Sequence, residues 1–141
     1  MKNNALMGSR MKSLVLLCSM ILAFANLSEG ATNVVALTVF DNEKTVPVKL
    51  GQPVTITLKG NPTTGYLWAV AGLSSNTVEQ VGEVEYQRSP AGKGMVGVGG
   101  VFVATFKAVK PGKTMVRMEY RRPWEKDTPP AETFAVTLDV K

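Results

Sequence analysis

The chain of 141 residues contains no histidine and one cysteine, Cys18. Without an imidazole neither a Ser-His-Asp nor a Cys-His arrangement can be built. Zinc likewise loses its usual nitrogen and sulfur ligands. General acid–base work would fall to carboxylates, lysines or tyrosines, so the composition argues against a hydrolase and calls for no metal and no cofactor. Long hydrophobic runs are also scarce. The main one, Ser13 to Ala25 (SLVLLCSMILAFA), is too short for a comfortable bilayer span. It follows Lys2, Arg10 and Lys12 with no acid between them, and it ends on the small-x-small triplet Ala23-Phe24-Ala25. That is the pattern of a secretory signal. Residues 1–25 are therefore read as a signal peptide and residues 26–141 as the working domain. The expected location is the secretory route: secreted, periplasmic or lumenal in a vesicle or lysosome. An uncleaved membrane anchor is the alternative. A lipoprotein centred on Cys18 is disfavoured by the bulky Leu17 before it, and a start at Met11 would give a tidier signal.

Removing the leader changes the charge. Three of the 16 basic residues go with it and all 11 acids stay, so 13 cations face 11 anions and the net charge falls from +5 to +2. No Lys/Arg run is present to argue for nucleic acid. Cys18 also leaves, and the remaining domain can form no disulfide, although the expected route leads into an oxidising compartment.

A helical period of useful length is absent as well. A period of two recurs instead, with β-branched and aromatic residues, which marks half-buried strands. It runs through Val34–Val39, Pro53–Leu58, Tyr66–Val70, Gly100–Val109, Thr114–Tyr120 and Thr133–Val140. Thr77–Gln87 is a longer, more polar candidate, bent at Gly82. Asp41-Asn42 and Lys110-Pro111-Gly112-Lys113 supply turn signals. The expected fold is all-β: one immunoglobulin-like two-sheet β-sandwich of about seven to eight strands.

Three connections are longer than a sandwich requires: Lys59–Gly65, Arg88–Gly99 and Arg121–Ala131. In the first, Asn61-Pro62 initiates a turn and fixes φ, and Gly65 opens a conformation closed to other residues. Thr63 and Thr64 then sit at a stiff tip with hydroxyls and exposed amides, and a stiff loop loses little entropy on docking. Asn61 is no glycosylation acceptor, because Pro62 follows it. In the second loop, Gly92-x-Gly94-x-x-Gly97 satisfies the dinucleotide pattern literally, but a strand follows where the fingerprint needs a helix. Its glycines are better read as room for another backbone, with Met95, Val96 and Val98 as exposed apolar anchors. The third loop places Trp124 among Arg121, Arg122, Glu125, Lys126 and Asp127. Tryptophan and arginine are enriched in binding hot spots. Trp68, one residue into a strand on an apolar face, is read as core. The plainer alternatives are a simple connection, a flexible loop and a tryptophan folded back on the sandwich. The order of the strands brings all three loops to one end, as in a paratope.

Together these segments resemble the chagasin-type inhibitors of papain-like cysteine peptidases. The family marks are an NPTTGY/F-x-W segment, a GxGG segment and an RPW segment. Here they stand as Asn61-Pro62-Thr63-Thr64-Gly65-Tyr66 with Trp68, as Gly97-Val98-Gly99-Gly100, and as Arg122-Pro123-Trp124. The resemblance runs from about Val34 to Val140. It implies a three-loop wedge that plugs the peptidase cleft. Thr63 and Thr64 would lie over the catalytic cysteine and histidine. Val96, with Met95 beside it, would enter the second subsite on the non-primed side. Trp124, with Arg122 and Pro123, would pack on the primed side. The implied action is reversible, competitive and tight, without enzyme activity, by a protein that is monomeric when free. A secreted adhesion or glycan-binding module using the same loops is the competing reading.

Residues 26–141 are predicted to fold without disulfide or metal. Their melting temperature should be the same with and without reductant or chelator, and a large drop with either would reveal a missed structural bond.

Overall fold

The computed structural model describes residues 33–90 and 99–141. The signal-peptide reading and the candidates Met95, Val96, Gly97 and Val98 fall outside these residues. Nine strands are described: β1 (Val35–Thr38), β2 (Thr45–Val48), β3 (Pro53–Gly60), β4 (Leu67–Leu73), β5 (Val78–Gln80), β6 (Glu85–Arg88), β7 (Gly100–Ala108), β8 (Gly112–Arg121) and β9 (Glu132–Val140). Two short 3-10 turns, Val39–Asp41 and Pro62–Thr64, complete the elements.

The strands form two sheets. One runs β1-β3-β7-β5, with β6 also paired to β7, and the other runs β2-β9-β8-β4. Alternation decides which faces meet. Val54, Ile56 and Leu58 on β3 face inward, as do Phe102, Ala104, Phe106 and Ala108 on β7. Val116 and Met118 on β8 and Phe134, Val136, Leu138 and Val140 on β9 meet them from the other sheet. Every one of these residues is buried, and the inner faces form one continuous cluster. The all-β sandwich expected from the sequence is therefore the observed architecture.

Three local expectations need correction. Thr77–Gln87 is not one bent strand, because Gly82 (φ 71°) lies between the separate strands β5 and β6. β5 pairs with β7 at Ala108 to Phe106 and β6 with β7 at Val103 to Gly100, so the two share one edge in succession. Val39 does not continue β1 on its inward face. Thr38 caps a 3-10 turn there in a reciprocal box with Asp41, and Val39 turns outward at 55% exposure. β2 is not among the strands that alternation marks. It has four residues with Pro47 among them, and its parallel pairing to β9 leaves it at a sheet edge, where proline is tolerated.

Register fixes which connections share an end. Gly60 at the end of β3 and Arg88 at the end of β6 both pair with Gly100 at the start of β7, while Leu67 at the start of β4 pairs with Arg121 at the end of β8, and Tyr120 beside it with Glu132 at the start of β9. The β3–β4, β6–β7 and β8–β9 connections consequently leave from one pole. Asn33, the Lys49–Gln52 turn, the Pro111 turn and Lys141 lie at the opposite pole. There Gln52 Nε2 donates to the Asn33 carbonyl at 2.6 Å and Leu50 N donates to the Lys141 carbonyl at 3.0 Å. Trp68 closes the core at the loop pole. It is 5% exposed, and its indole N–H donates to the Lys59 carbonyl at 2.9 Å.

Replacing Trp68 by alanine should therefore cost about 3–5 kcal/mol, as for other large core truncations. Denaturant unfolding checks this; a loss under about 1 kcal/mol would place the indole outside the core.

Candidate functional site

The β3–β4 loop is built around Asn61. It follows the last residue of β3 in an extended conformation, φ −135°, and caps the Pro62–Thr64 turn. Pro62 supplies the fixed φ that a first turn position requires. Asn61 Oδ1 accepts from Thr63 N at 3.1 Å and from the Thr63 hydroxyl at 2.7 Å. The Asn61 carbonyl accepts from the Thr64 hydroxyl at 2.7 Å and from Thr64 N at 3.3 Å. Gly65 ends the turn in the left-handed region, φ 82°, and its N–H donates to the Pro62 carbonyl at 3.0 Å. The tip is exposed at both threonines. The expected free amides are not found, because the amides of Thr63, Thr64 and Gly65 are all engaged inside the loop. Both threonine hydroxyls also donate inward, which leaves their lone pairs and methyl groups for a partner.

The β8–β9 loop lies against this tip. Arg122 Nε donates to the Thr64 carbonyl at 3.1 Å, and its Nη1 meets Glu125 Oε1 at 3.1 Å. The guanidinium carbon sits 4.6 Å from the centre of the Tyr66 ring, within cation–π range. A turn brings Glu125 N onto the Arg122 carbonyl at 3.1 Å. Arg121 Nη2 reaches the Thr128 carbonyl at 2.9 Å and holds the far side of the loop. Trp124 is 67% exposed, so it is not folded back into the core. Its indole lies over Gly65: a Cβ there would come within 2.6 Å of Trp124 Cη2. Gly65 therefore has two constraints, a positive φ and a tryptophan above it.

Of the β6–β7 loop the structure describes only the roots. Ser89 N donates to the Gly99 carbonyl at 3.4 Å. Gly100 belongs to β7, opposite Gly60 of β3 and Arg88 of β6. A Cβ on Gly100 would collide with the Gln87 carbonyl, and one on Gly99 would stand 3.0 Å from the Gly60 carbonyl. These two glycines allow the roots of two loops to touch, so backbone packing accounts for them directly. Gly60 is similar, since its Cβ would lie 2.6 Å from the Phe102 ring.

The structure thus brings Asn61, Pro62, Thr63, Thr64, Gly65, Tyr66, Arg122, Pro123 and Trp124 to one surface, with Gly99 and Gly100 at its root. Two residues join them that sequence reasoning left aside. Glu125 orients Arg122. Tyr120, named from the sequence only as the end of the Thr114–Tyr120 strand, places its hydroxyl against the Asn61 backbone. The available signal was its position at the end of a strand, where a phenol can reach past the core. Among the described residues, no group of three His, Cys, Asp or Glu side chains could hold a metal ion.

Comparison with known proteins identifies the family. Residues 47–138 match the family model described as "Chagasin family peptidase inhibitor I42". Amoebiasin-1 of Entamoeba histolytica is 36% identical over 107 residues, covering 74% of this chain and 96% of the relative. Chagasin of Trypanosoma cruzi is 35% identical over 100 residues, covering 69% and 89%. The crystal structure of a cysteine protease inhibitor from Entamoeba histolytica superposes with a TM-score of 0.68 at 26% identity, over 77% of this chain and 96% of that one. With most of the sandwich and the roots of its loops inside the matched region, the chain belongs to the chagasin family of peptidase inhibitors, a family of inhibitors and not of enzymes.

Proposed function

We propose that this protein is a reversible, competitive and tight-binding inhibitor of papain-like cysteine peptidases, monomeric when free, acting in the secretory route or beyond it after loss of residues 1–25. One observation carries the mechanism. At an exposed tip, the carbonyls of Asn61, Pro62 and Thr64 all accept internal hydrogen bonds, from Thr64, Gly65 and Arg122 respectively.

A peptidase cuts a peptide held extended, with its scissile carbonyl aligned to the attacking thiolate. A 3-10 turn is not extended, and its engaged carbonyls cannot turn toward an oxyanion site without breaking bonds inside the loop. The tip would fill the cleft above the catalytic cysteine and histidine while withholding the geometry of attack. Trp124 would supply the aromatic anchor on the primed side, beside Arg122 and Pro123. Met95 and Val96 would supply the apolar contact on the non-primed side, with Gly97, Val98, Gly99 and Gly100 giving the backbone close approach. No covalent step is involved, so activity would return on dissociation.

The direct test is titration of papain with purified residues 26–141. Stoichiometric loss of activity, relieved by excess substrate and reversed on dilution, is expected. Unchanged activity would favour a binding module for some other ligand.

Two substitutions probe the contact surface. Trp124→Ala removes an exposed aromatic anchor and should weaken inhibition by ~2 kcal/mol or more, roughly 30-fold. Its melting temperature should stay near wild type; an early melt would mean that the indole supports the fold. Gly65→Ala forces a side chain into the left-handed region, costing about 1–2 kcal/mol, and pushes against the indole. Affinity measured by inhibition should fall more than thermal stability does, and the reverse order would count against a docking role for the tip.

A further inference from the structure

Resting on the inhibitor reading, we propose that Tyr120 is a positioning residue: its hydroxyl clamps the Asn61 backbone and so keeps the threonine loop from being read as substrate. The Tyr120 ring is anchored in the aromatic end of the core. It stacks on Tyr66 at 5.4 Å between centroids, leans on Trp68 at 5.2 Å, and meets the edge of Phe102 at 6.3 Å. Strand pairing fixes its backbone opposite Trp68 on one side and Glu132 on the other. From this fixed base the hydroxyl accepts from Asn61 N at 2.9 Å and donates a longer bond to the Asn61 carbonyl at 3.4 Å.

Asn61 is the residue on which the loop's internal order depends. Its two oxygens take both threonine hydroxyls and the Thr63 and Thr64 amides. A continuous line of contacts therefore leads from the core through the phenol to Asn61 and on to Thr63 and Thr64. The hydroxyl is half-buried, and the Asn61 N–H has it as its acceptor at 2.9 Å. Without the oxygen, that donor must find water or shift, and the loop root gains freedom. The ring itself would keep its packing, so the effect on the fold and the effect on the loop can be separated.

The experiment is Tyr120→Phe, compared with wild type for inhibition of papain and for survival during prolonged incubation with it, read by mass spectrometry. The melting temperature should move by only a few degrees, as for loss of one hydrogen bond. Affinity should fall about tenfold. Slow cleavage should appear between Asn61 and Tyr66, a site that stays intact in wild type over the same time. In the wild-type protein alone, the Asn61 amide should be protected from hydrogen exchange, which tests the clamp even if the variant folds poorly. Wild-type affinity and resistance in Tyr120→Phe, or a freely exchanging Asn61 amide, would overturn the proposal. If wild type itself leaves papain active, the inhibitor reading fails instead, and the exchange result still reports on the clamp.

Discussion

Asn61 accepts, through its side-chain and main-chain oxygens, the hydroxyls of the two threonines that follow it. Much of the exposed surface depends on that small set of bonds. They convert six residues between strands into a closed turn, with Pro62 limiting φ at its start and Gly65 releasing the chain at its end. A turn closed in this way has already lost most of its conformational freedom before any partner arrives. Docking then costs less entropy than ordering an open loop would. The Thr64 carbonyl passes the constraint onward, because Arg122 binds it while stacking on Tyr66. The position of Trp124 follows from the same turn, since its indole rests where Gly65 has no side chain.

The sandwich contributes a stiff base for this arrangement. At the loop pole the aromatic residues Trp68, Phe102, Tyr120 and Tyr66 cap the aliphatic core. Close passage of the roots is possible because Gly60 faces Gly100 across the β3–β7 pair. A methyl group at Gly60 would strike the Phe102 ring, and one at Gly100 would strike neighbouring backbone. The small residues and the large ones are thus complementary: rings fill the end of the core, and glycines let the chain pass beside them.

Most of the architecture was legible in the sequence, because period-two alternation reports burial directly. Phe102, Ala104, Phe106 and Ala108 alternate in the chain and are buried together in the fold. The weaker readings failed where alternation is too short or is interrupted. β2 offers four residues and a proline, and its partner strand lies about ninety positions away in sequence, as Thr45 opposite Thr137 illustrates. Val39 fits the pattern of β1, yet the cap made by Thr38 and Asp41 turns it outward. At the candidate site, the motif residues could be named in advance, but their hydrogen-bond directions could not. That the threonine amides point inward depends on Asn61, whose Oδ1 takes the Thr63 amide and whose carbonyl takes that of Thr64, and that Asn61 is held depends on a tyrosine 59 positions later. Long-range polar pairings of this kind leave no periodic trace.

The two sheets also separate the molecule into poles. Asn33 and Lys141 both sit at the one remote from Thr63 and Trp124, beside the Lys49–Gln52 turn. A solid support coupled through Lys141 would be attached at the pole opposite the loops. Copies arrayed on a surface through that pole would present all their tips outward, so tethering would raise local concentration without blocking access.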